Sequence, residues 1–251
     1  MNESPIIFCR EWAVTEALIA YLAQAYSCPV TAVYDMPQLS CLLGAQPHTP
    51  VVLGLCPHEH VAELYRLSPL LAGRSVLFVG RCFYWTDYRL PEWLGLEQYG
   101  FCSWDTMHNP FSRRMELRRF RQYSADVQKD DNPEKKNRKL VPALSAITVL
   151  KILESANRWL YRELSVAGLT GYEVRILLLM TEGQGGNLPS RARSLHKNKG
   201  LYKLGMTKHV MNLYRGVKVR PALQAGLPLQ AEESDTGGVA NTLPFSQEVD
   251  W

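Results

Sequence analysis

The sequence lacks the long apolar run that a membrane-spanning helix requires. Such a helix takes about 20 consecutive apolar residues, and no stretch of the 251-residue chain approaches that length. The N-terminal residues MNESPIIFCREW contain an early glutamate and no basic segment before their short apolar run, which argues against a secretory signal. We therefore expect a cytoplasmic protein whose thiols are reduced.

Paired-cysteine motifs are also missing. The six cysteines all lie in the first 102 residues and form no C-x-x-C pair. A chain of this length buries enough apolar surface to fold without disulfides, and a free cysteine commonly behaves as a small buried apolar residue. We predict buried thiols, no metal and no cofactor. The alternative is a metal site built on Cys56, His58 and His60, whose spacing matches no common zinc pattern.

The common enzyme motifs are absent as well. The chain contains no P-loop, G-x-G-x-x-G, G-x-S-x-G or H-E-x-x-H sequence. Gly183, Gly185 and Gly186 do not follow a predicted strand, so we interpret them as a turn. These absences predict a protein that is not an enzyme. A sensor or enzyme that binds a ligand at the carboxyl ends of its strands is the alternative.

Positive charge is concentrated in one part of the chain. Residues 1–109 contain 5 Lys+Arg and 10 Asp+Glu, and residues 110–220 contain 23 Lys+Arg and 9 Asp+Glu. Residues 221–251 contain no Lys or Arg and 5 Asp+Glu. From Gly183 to Arg220 there are nine basic residues and no acidic one. Like charges repel on a folded surface, so this stretch indicates a polyanionic partner. Nucleic acid is favoured, because the bulky apolar face needed for a membrane surface is missing.

Short apolar runs recur along the first half of the chain without alternation, as expected of strands covered on both faces. Helical patterns separate them, which predicts an α/β doubly wound five-stranded parallel sheet. The predicted strands are Pro5–Cys9, Val30–Tyr34, Pro50–Leu55, Ser75–Val79 and Gly100–Trp104. The predicted helices are Glu11–Tyr26, Met36–Leu43, His58–Leu71, Glu92–Tyr99 and the basic Arg113–Tyr123.

The polar, charge-dense segment 124–141 divides the chain. We predict a first domain over 1–123, a linker over 124–141, a helical domain over 142–225 and an acidic, disordered tail over 226–251. The tail is either a solvated end or a shield for the basic segment.

A heptad pattern runs from Ala143 to Ala167. A single asparagine at an a position is known to fix register in coiled coils, so this helix is a candidate for dimerisation. The alternative is an amphipathic helix packed within its own domain. The a positions are Ala143, Leu150, Asn157 and Leu164, and the d positions are Ala146, Leu153, Leu160 and Ala167.

The segment Leu169–Gly183, LTGYEVRILLLMTEG, resembles the opening of the LuxR/FixJ-type helix-turn-helix domain. Thr170 matches the helix N-cap and Glu173 its capping-box partner. The resemblance implies a buried face that is formed by Ile176, Leu177 and Met180.

A second match lies downstream. His196 and the following Lys203-Leu204-Gly205-Met206 resemble the end of the family's recognition helix, and Met206–Gly216 resembles its fourth helix. The two matches lie closer together than in the family, so the positioning helix between them is shortened by about seven residues.

The resemblance implies that Pro189 is the first helical residue and that Ser190–Lys203 is the recognition helix. Ala192, Leu195 and Leu204 then pack inward. A second register places the helix at Lys199–Leu213. It loses both matches and puts Gly205 mid-helix at a cost of about 1 kcal/mol.

The resemblance implies binding of double-stranded DNA through an all-α helix-turn-helix domain, whose second helix enters the major groove. Arg191 and Arg193 are then candidates for reading guanine. The lysines would contact phosphate, and solvated surface charge is the alternative for each residue. The predicted DNA-binding residues are Ser190, Arg191, Arg193, Ser194, His196, Lys197, Asn198, Lys199, Lys203 and Lys208.

Proteins with this domain often carry a CheY-like receiver, and the strand spacing here is similar to one. Aspartyl phosphate formation needs a carboxylate after the third strand and an acidic pair after the first. It also needs a Ser or Thr after the fourth strand and a Lys after the fifth. Here the third strand, VVLGLCP, offers no carboxylate, and only Glu11 follows the first strand. Gly80 follows the fourth strand, and no lysine follows the fifth. We predict a pseudo-receiver that pairs with itself or with another response-regulator-type protein, as in accessory enterobacterial regulators.

The aromatic run Cys82–Tyr88, CFYWTDY, is either a protein interface or core packing under a loop. Together these features predict a non-phosphorylated DNA-binding transcriptional regulator that is cytoplasmic and nucleoid-associated and acts without contact to a membrane. The alternative is a protein-binding module that sequesters another regulator without contacting DNA.

Overall fold

A computed structural model of the chain describes residues 4–26, 29–127, 148–184, 189–206 and 216–225. The predicted tail, most of the predicted linker and residues 207–215 of the predicted fourth helix lie outside these ranges. Among the helices that the structure describes, none is both long enough and apolar enough to cross a membrane.

Five parallel strands form one sheet in the order β2-β1-β3-β4-β5. Ile7 of β1 pairs with Ala32 of β2 on one side and with Val52 of β3 on the other. This is the strand order of flavodoxin and CheY, and it confirms the predicted α/β doubly wound five-stranded parallel sheet. The strands are β1 (Ile6–Phe8), β2 (Thr31–Val33), β3 (Val51–Leu53), β4 (Ser75–Gly80) and β5 (Gln98–Ser103).

Helices cover both faces of this sheet. Phe8 and Phe78 belong to the core on one face, which α2 and α3 cover, and Ile7 and Leu77 belong to the core on the other face, which α1 and α6 cover. The apolar strands are therefore shielded from water on both sides. The helices of this part are α1 (Trp12–Tyr26), α2 (Met36–Ala45), α3 (Val61–Leu71), α4 (Trp85–Trp93), α5 (Trp104–His108) and α6 (Pro110–Val127).

The predicted helix at Glu92–Tyr99 is wrong. Helix α4 begins at Trp85, and residues 98 and 99 belong to β5. The Asp87 carboxylate accepts the backbone N–H of Tyr84 at 2.8 Å, which starts the helix earlier than the apolar pattern suggests. Helix α5 was not predicted, and it begins where the Ser103 hydroxyl accepts the Thr106 N–H at 3.2 Å.

Among its described residues, the C-terminal part contains the α-helices α7 (Val149–Val166), α8 (Gly171–Thr181) and α9 (Ser190–Lys203). The apolar face of α7 packs on α3 and α4, where Leu153 and Leu160 share a buried cluster with Val61 and Leu90. The heptad describes this face only in part, because its d-position residues Leu153 and Leu160 are buried whereas its a-position residue Leu150 is 63% exposed. The described α7 is an amphipathic helix packed within the chain.

Residues 216–225, which we call the strap, run back from the C-terminal helices to the first domain. The side-chain amide of Asn157 donates from Nδ2 to the Val219 carbonyl and accepts the Val219 N–H at Oδ1, each at 2.8 Å. The buried side chain of Gln224 accepts the Val61 N–H at 3.1 Å and donates to the His58 carbonyl at 2.8 Å. The strap thereby links α7 to the segment between β3 and α3.

Candidate nucleic-acid interface

Helix α8 begins with a reciprocal pair of hydrogen bonds. The Thr170 N–H donates to Glu173 Oε2 at 2.8 Å, and the Glu173 N–H donates to Thr170 Oγ1 at 3.4 Å. This is the predicted capping box, and it satisfies two backbone N–H groups at the start of the helix. The predicted inner face is confirmed for Ile176 and Leu177, which are buried, while Met180 is half-buried.

Helix α9 spans Ser190–Lys203, as the resemblance implies, with Pro189 at the N-cap and not at the first helical position. It ends in a Schellman motif. Gly205 adopts a φ of 69°, its N–H donates to the Tyr202 carbonyl at 3.0 Å, and the Met206 N–H donates to the Leu201 carbonyl at 2.8 Å. Only glycine adopts this backbone conformation without strain, which explains the glycine of the Lys-Leu-Gly corner.

The connection between α8 and α9 differs from the expectation. Thr181 ends α8 and Ser190 begins α9, which leaves eight residues between them. The described residues of this connection, 182–184 and 189, are not helical. They supply no positioning helix, and α9 instead packs directly on α8.

The contact between α8 and α9 depends on a glycine. Gly200 is buried on the inner side of α9, and a Cβ added to it would lie 2.9 Å from Leu177 Cδ1. Leu201 and Leu204 continue this contact, together with Leu164 of α7. The α9 helix turns Gly200 toward α8. At 100° per residue, Leu195 lies about 140° away from Gly200 around the helix axis, and therefore points away from α8. Leu195 is accordingly 52% exposed, so its predicted inward packing is wrong.

The side of α9 that points away from α8, which we call its outward face, carries polar, basic and apolar side chains. Arg193, His196 and Lys197 lie to the side of it and are half-buried, as is Ala192. Tyr202 is 75% exposed. The spacing i, i+3, i+4, i+7 from residue 195 places Tyr202 on this face, a pattern that is already present in the sequence. The exposed residues of α9 are Ser190, Arg191, Ser194, Leu195, Asn198, Lys199, Tyr202 and Lys203.

Lys203 and Lys218, which belong to the basic stretch 183–220, pair with acids of the chain itself. Lys203 Nζ donates to Glu173 Oε2 at 2.7 Å and to the Gly168 carbonyl at 2.9 Å. Burial alone would raise the pKa of Glu173, but the bonds from Lys203 and Thr170 outweigh it and lower that pKa. Lys218 pairs with Glu182 at 2.8 Å. Lys203 therefore holds α9 to the start of α8, a role that the sequence did not reveal.

Three other cations of α9 remain unpaired. Arg191, Lys197 and Lys199 form no ion pair with any acid in the part of the chain that the structure describes. Arg191 and Lys199 are exposed, and Lys197 is half-buried. These charges need a partner or counterions. Lys208 of the predicted set lies outside the described residues.

A groove of about 650 Å³ lies between the outward face of α9 and the start of α8. Thr170 and Glu173 form the α8 side. Next to it, the rings of Tyr172 and His196 stack with their centroids 5.7 Å apart. The α9 side is lined by Leu195, Asn198, Lys199, Tyr202 and Lys203.

The carboxyl edge of the sheet carries a buried His58–Asp87 pair. The Asp87 carboxylate accepts the backbone N–H of His58 at 2.7 Å and contacts ring atom Nδ1 at 2.8 and 3.0 Å. Burial of the ring opposes its charged form, but the bond to Asp87, aided by Glu59, outweighs burial and raises the pKa of His58 to about 9. Asp87 is fully buried, so it offers no exposed carboxylate for phosphoryl transfer.

The metal site considered for Cys56, His58 and His60 is not assembled. His58 is held by Asp87, and His60 Nδ1 lies 2.7 Å from Glu63 Oε2. Across the described ranges, no three His, Cys, Asp or Glu side chains are grouped so that they could hold a metal ion. Burial raises the pKa of the Cys56 thiol to about 12.

The packing interpretation holds for only part of the described cysteines and of the aromatic run. Cys9 and Cys102 are buried, whereas Cys41 is exposed, contrary to the prediction. Within CFYWTDY, Tyr84 is buried against the ring of His58, with their centroids 5.2 Å apart. Tyr88 is 49% exposed and packs edge-on against Phe101.

No protein-family model matches the chain, and no curated protein matches it. Among solved structures, full-length FixJ from B. japonicum is similar to it at 13% sequence identity and a TM-score of 0.37. That similarity covers 86% of this chain and 95% of the FixJ chain.

Proposed function

We propose that this chain is a DNA-binding transcriptional regulator and that the outward face of α9 meets the DNA. The observation that carries the proposal is the set of cations on α9 that the described part of the chain leaves without acidic partners, Arg191, Lys197 and Lys199. Phosphate contacts from lysine and arginine supply most of the non-specific affinity for a duplex.

The order of residues along α9 supports entry into the major groove by its N-terminal half. In helix-turn-helix proteins the first residues of the second helix meet base edges. Arg191 is exposed in the first turn and has the side chain that bonds guanine through two hydrogen bonds. Asn198 is exposed two turns later, where an amide can pair with adenine. Lys199 lies beside it and reaches phosphate.

The first domain has a regulatory role without phosphorylation or other catalysis in this proposal. After β3, where a receiver needs an exposed carboxylate, its carboxyl edge carries His58, which pairs with the buried Asp87 of α4. Contact with a second copy or with another response-regulator-type protein is the role that remains for it.

A second function is sequestration of another regulator without DNA contact. The observation that favours it is the connection between α8 and α9, whose described residues form no positioning helix. Such a helix crosses the phosphate backbone in known helix-turn-helix complexes. Its loss would weaken docking of α9 in the groove.

Binding to genomic DNA fragments at several salt concentrations separates the two functions. Sequence-specific DNA binding predicts that fragments are retarded in a gel, that some sequences are preferred and that the affinity falls steeply with salt concentration. Arg191→Ala should then weaken binding to a preferred fragment by about 1–3 kcal/mol, with a smaller loss for the half-buried Arg193→Ala. Absence of retardation at low salt would refute the proposal and favour sequestration.

A further inference from the structure

The groove between α8 and α9 is apolar and basic at once, which is unusual for a surface that only contacts phosphate. Leu195 is 52% exposed and Tyr202 is 75% exposed. Lys199 lies between them on the same face and has no acidic partner among the described residues. A ligand for this groove therefore carries both apolar groups and negative charge.

The chain itself contains a segment of that composition. Residues 243–251, LPFSQEVDW, combine the apolar Leu243, Phe245, Val249 and Trp251 with Glu248 and Asp250. The surrounding residues 226–251 hold five acids and no Lys or Arg. This negative charge is opposite in sign to that of residues 183–220, a range that contains nine basic residues and no acidic one.

The length of chain allows the contact. The described part of the chain ends at Ala225, whose N–H donates to the Glu59 carbonyl at 2.8 Å. The 17 residues from 226 to 242 span up to about 55 Å when extended. Ala225 is seven residues from Lys218, which pairs with Glu182 at the end of α8. The groove at the start of α8 is one 11-residue helix further, so it lies within that length of chain.

We propose that segment 243–251 binds in the groove between α8 and α9 and covers the outward face of α9. The aromatic and aliphatic side chains contact Leu195 and Tyr202, and the carboxylates of Glu248 and Asp250 pair with Lys199 and Arg191. Because Arg191 and Lys199 also belong to the proposed DNA surface, the segment and DNA cannot be bound to α9 at the same time. This last consequence rests on the proposed function, whereas the binding of the segment does not.

Photo-cross-linking in the full-length chain tests the contact without DNA. Phe245→p-benzoylphenylalanine should give adducts at Leu195, Lys199 or Tyr202 when irradiated, with a yield that does not change on dilution. The same probe at Gln230, which lies outside the segment, is the control and should not label the groove. Adducts elsewhere, or a yield that falls with dilution because another copy is labelled, would overturn the proposal.

Two charge-matched double variants test the competition with DNA. E248Q/D250N removes two acids from the segment, and E232Q/E233Q removes two acids outside it. The first should raise DNA affinity at least about fivefold, and the second should leave it nearly unchanged. Equal gains would show general charge repulsion and would contradict a specific contact. Cross-linking to the groove together with no DNA binding by any variant would support the contact and refute the proposed function.

Discussion

Gly200 of α9 lies directly on Leu177 of α8, and a methyl group at Gly200 would come within 2.9 Å of Leu177 Cδ1. Leu177 is fully buried, so its side chain has little room to move away. We expect Gly200→Ala to destabilise the chain by about 1 kcal/mol, because a steric cost of about 1–3 kcal/mol exceeds the helix-propensity gain of about 1 kcal/mol. Denaturant unfolding that is monitored by circular dichroism measures the difference.

The control for this prediction is the same change in a Leu177→Ala background. Removal of the Leu177 side chain abolishes the clash, so Gly200→Ala should then stabilise the chain by about 1 kcal/mol through helix propensity alone. An identical effect of Gly200→Ala in both backgrounds would contradict the packing described between α8 and α9.

The Lys203–Glu173 pair predicts a pH-dependent contribution to stability. The pKa of Glu173 is lower in the folded chain than its ordinary value, so its contribution is present above pH ~4.5 and is lost as the pH falls through the folded value. Glu173→Gln keeps an acceptor for the capping box but removes the charge. We expect it to cost about 1 kcal/mol at pH 7 and less at pH 3. Unfolding free energies at both pH values provide the comparison, and a cost that is independent of pH would count against the ion pair.

The His58–Asp87 pair predicts the opposite dependence, at alkaline pH. The pKa of His58 is raised from 6.5 to about 9. Its contribution is therefore full below pH ~6.5 and is lost as the pH rises through about 9, with a total on the order of 3 kcal/mol. In Asp87→Asn this loss should disappear, since the amide does not favour the protonated ring. Unfolding free energies of both proteins between pH 6 and pH 10 test the prediction, and parallel curves would contradict it.

The carboxyl edge of the sheet predicts no phosphorylation by a small phosphodonor. Asp87, the carboxylate held by His58 in this region, is fully buried and accepts three hydrogen-bond donors. Incubation with acetyl phosphate and magnesium should leave the intact mass unchanged. An adduct of one phosphoryl group that is lost at alkaline pH, as an acyl phosphate is, would show that the first domain is an active receiver.

Local sequence signals predicted those parts of the fold that depend on nearby residues. Continuous apolar runs located all five strands to within about two residues. Thr170 and Glu173 marked the start of α8, and Gly205 marked the end of α9, because capping depends on residues only a few positions apart.

Contacts between distant parts of the chain could not be predicted in the same way. His58 and Asp87 are separated by 29 positions, and Gln224 reaches His58 across 166. The heptad pattern on α7 could not reveal that its apolar face packs on α3 and α4 of the first domain. Leu195 is exposed because α9 is rotated so that Gly200 contacts Leu177. The periodicity of residues within α9 could not predict this contact, since Leu177 lies on another helix.

The salt dependence of DNA affinity in a lysine variant tests the central claim most directly. Lys199 is exposed on the outward face of α9, and Lys151 is an exposed lysine on α7 that carries the same charge. Affinity for a preferred fragment should be measured between about 50 and 200 mM salt. We predict that Lys199→Ala lowers the slope of log affinity against log salt by about 1, while Lys151→Ala leaves it unchanged. Equal slopes for the unaltered chain and Lys199→Ala would contradict a DNA surface on α9.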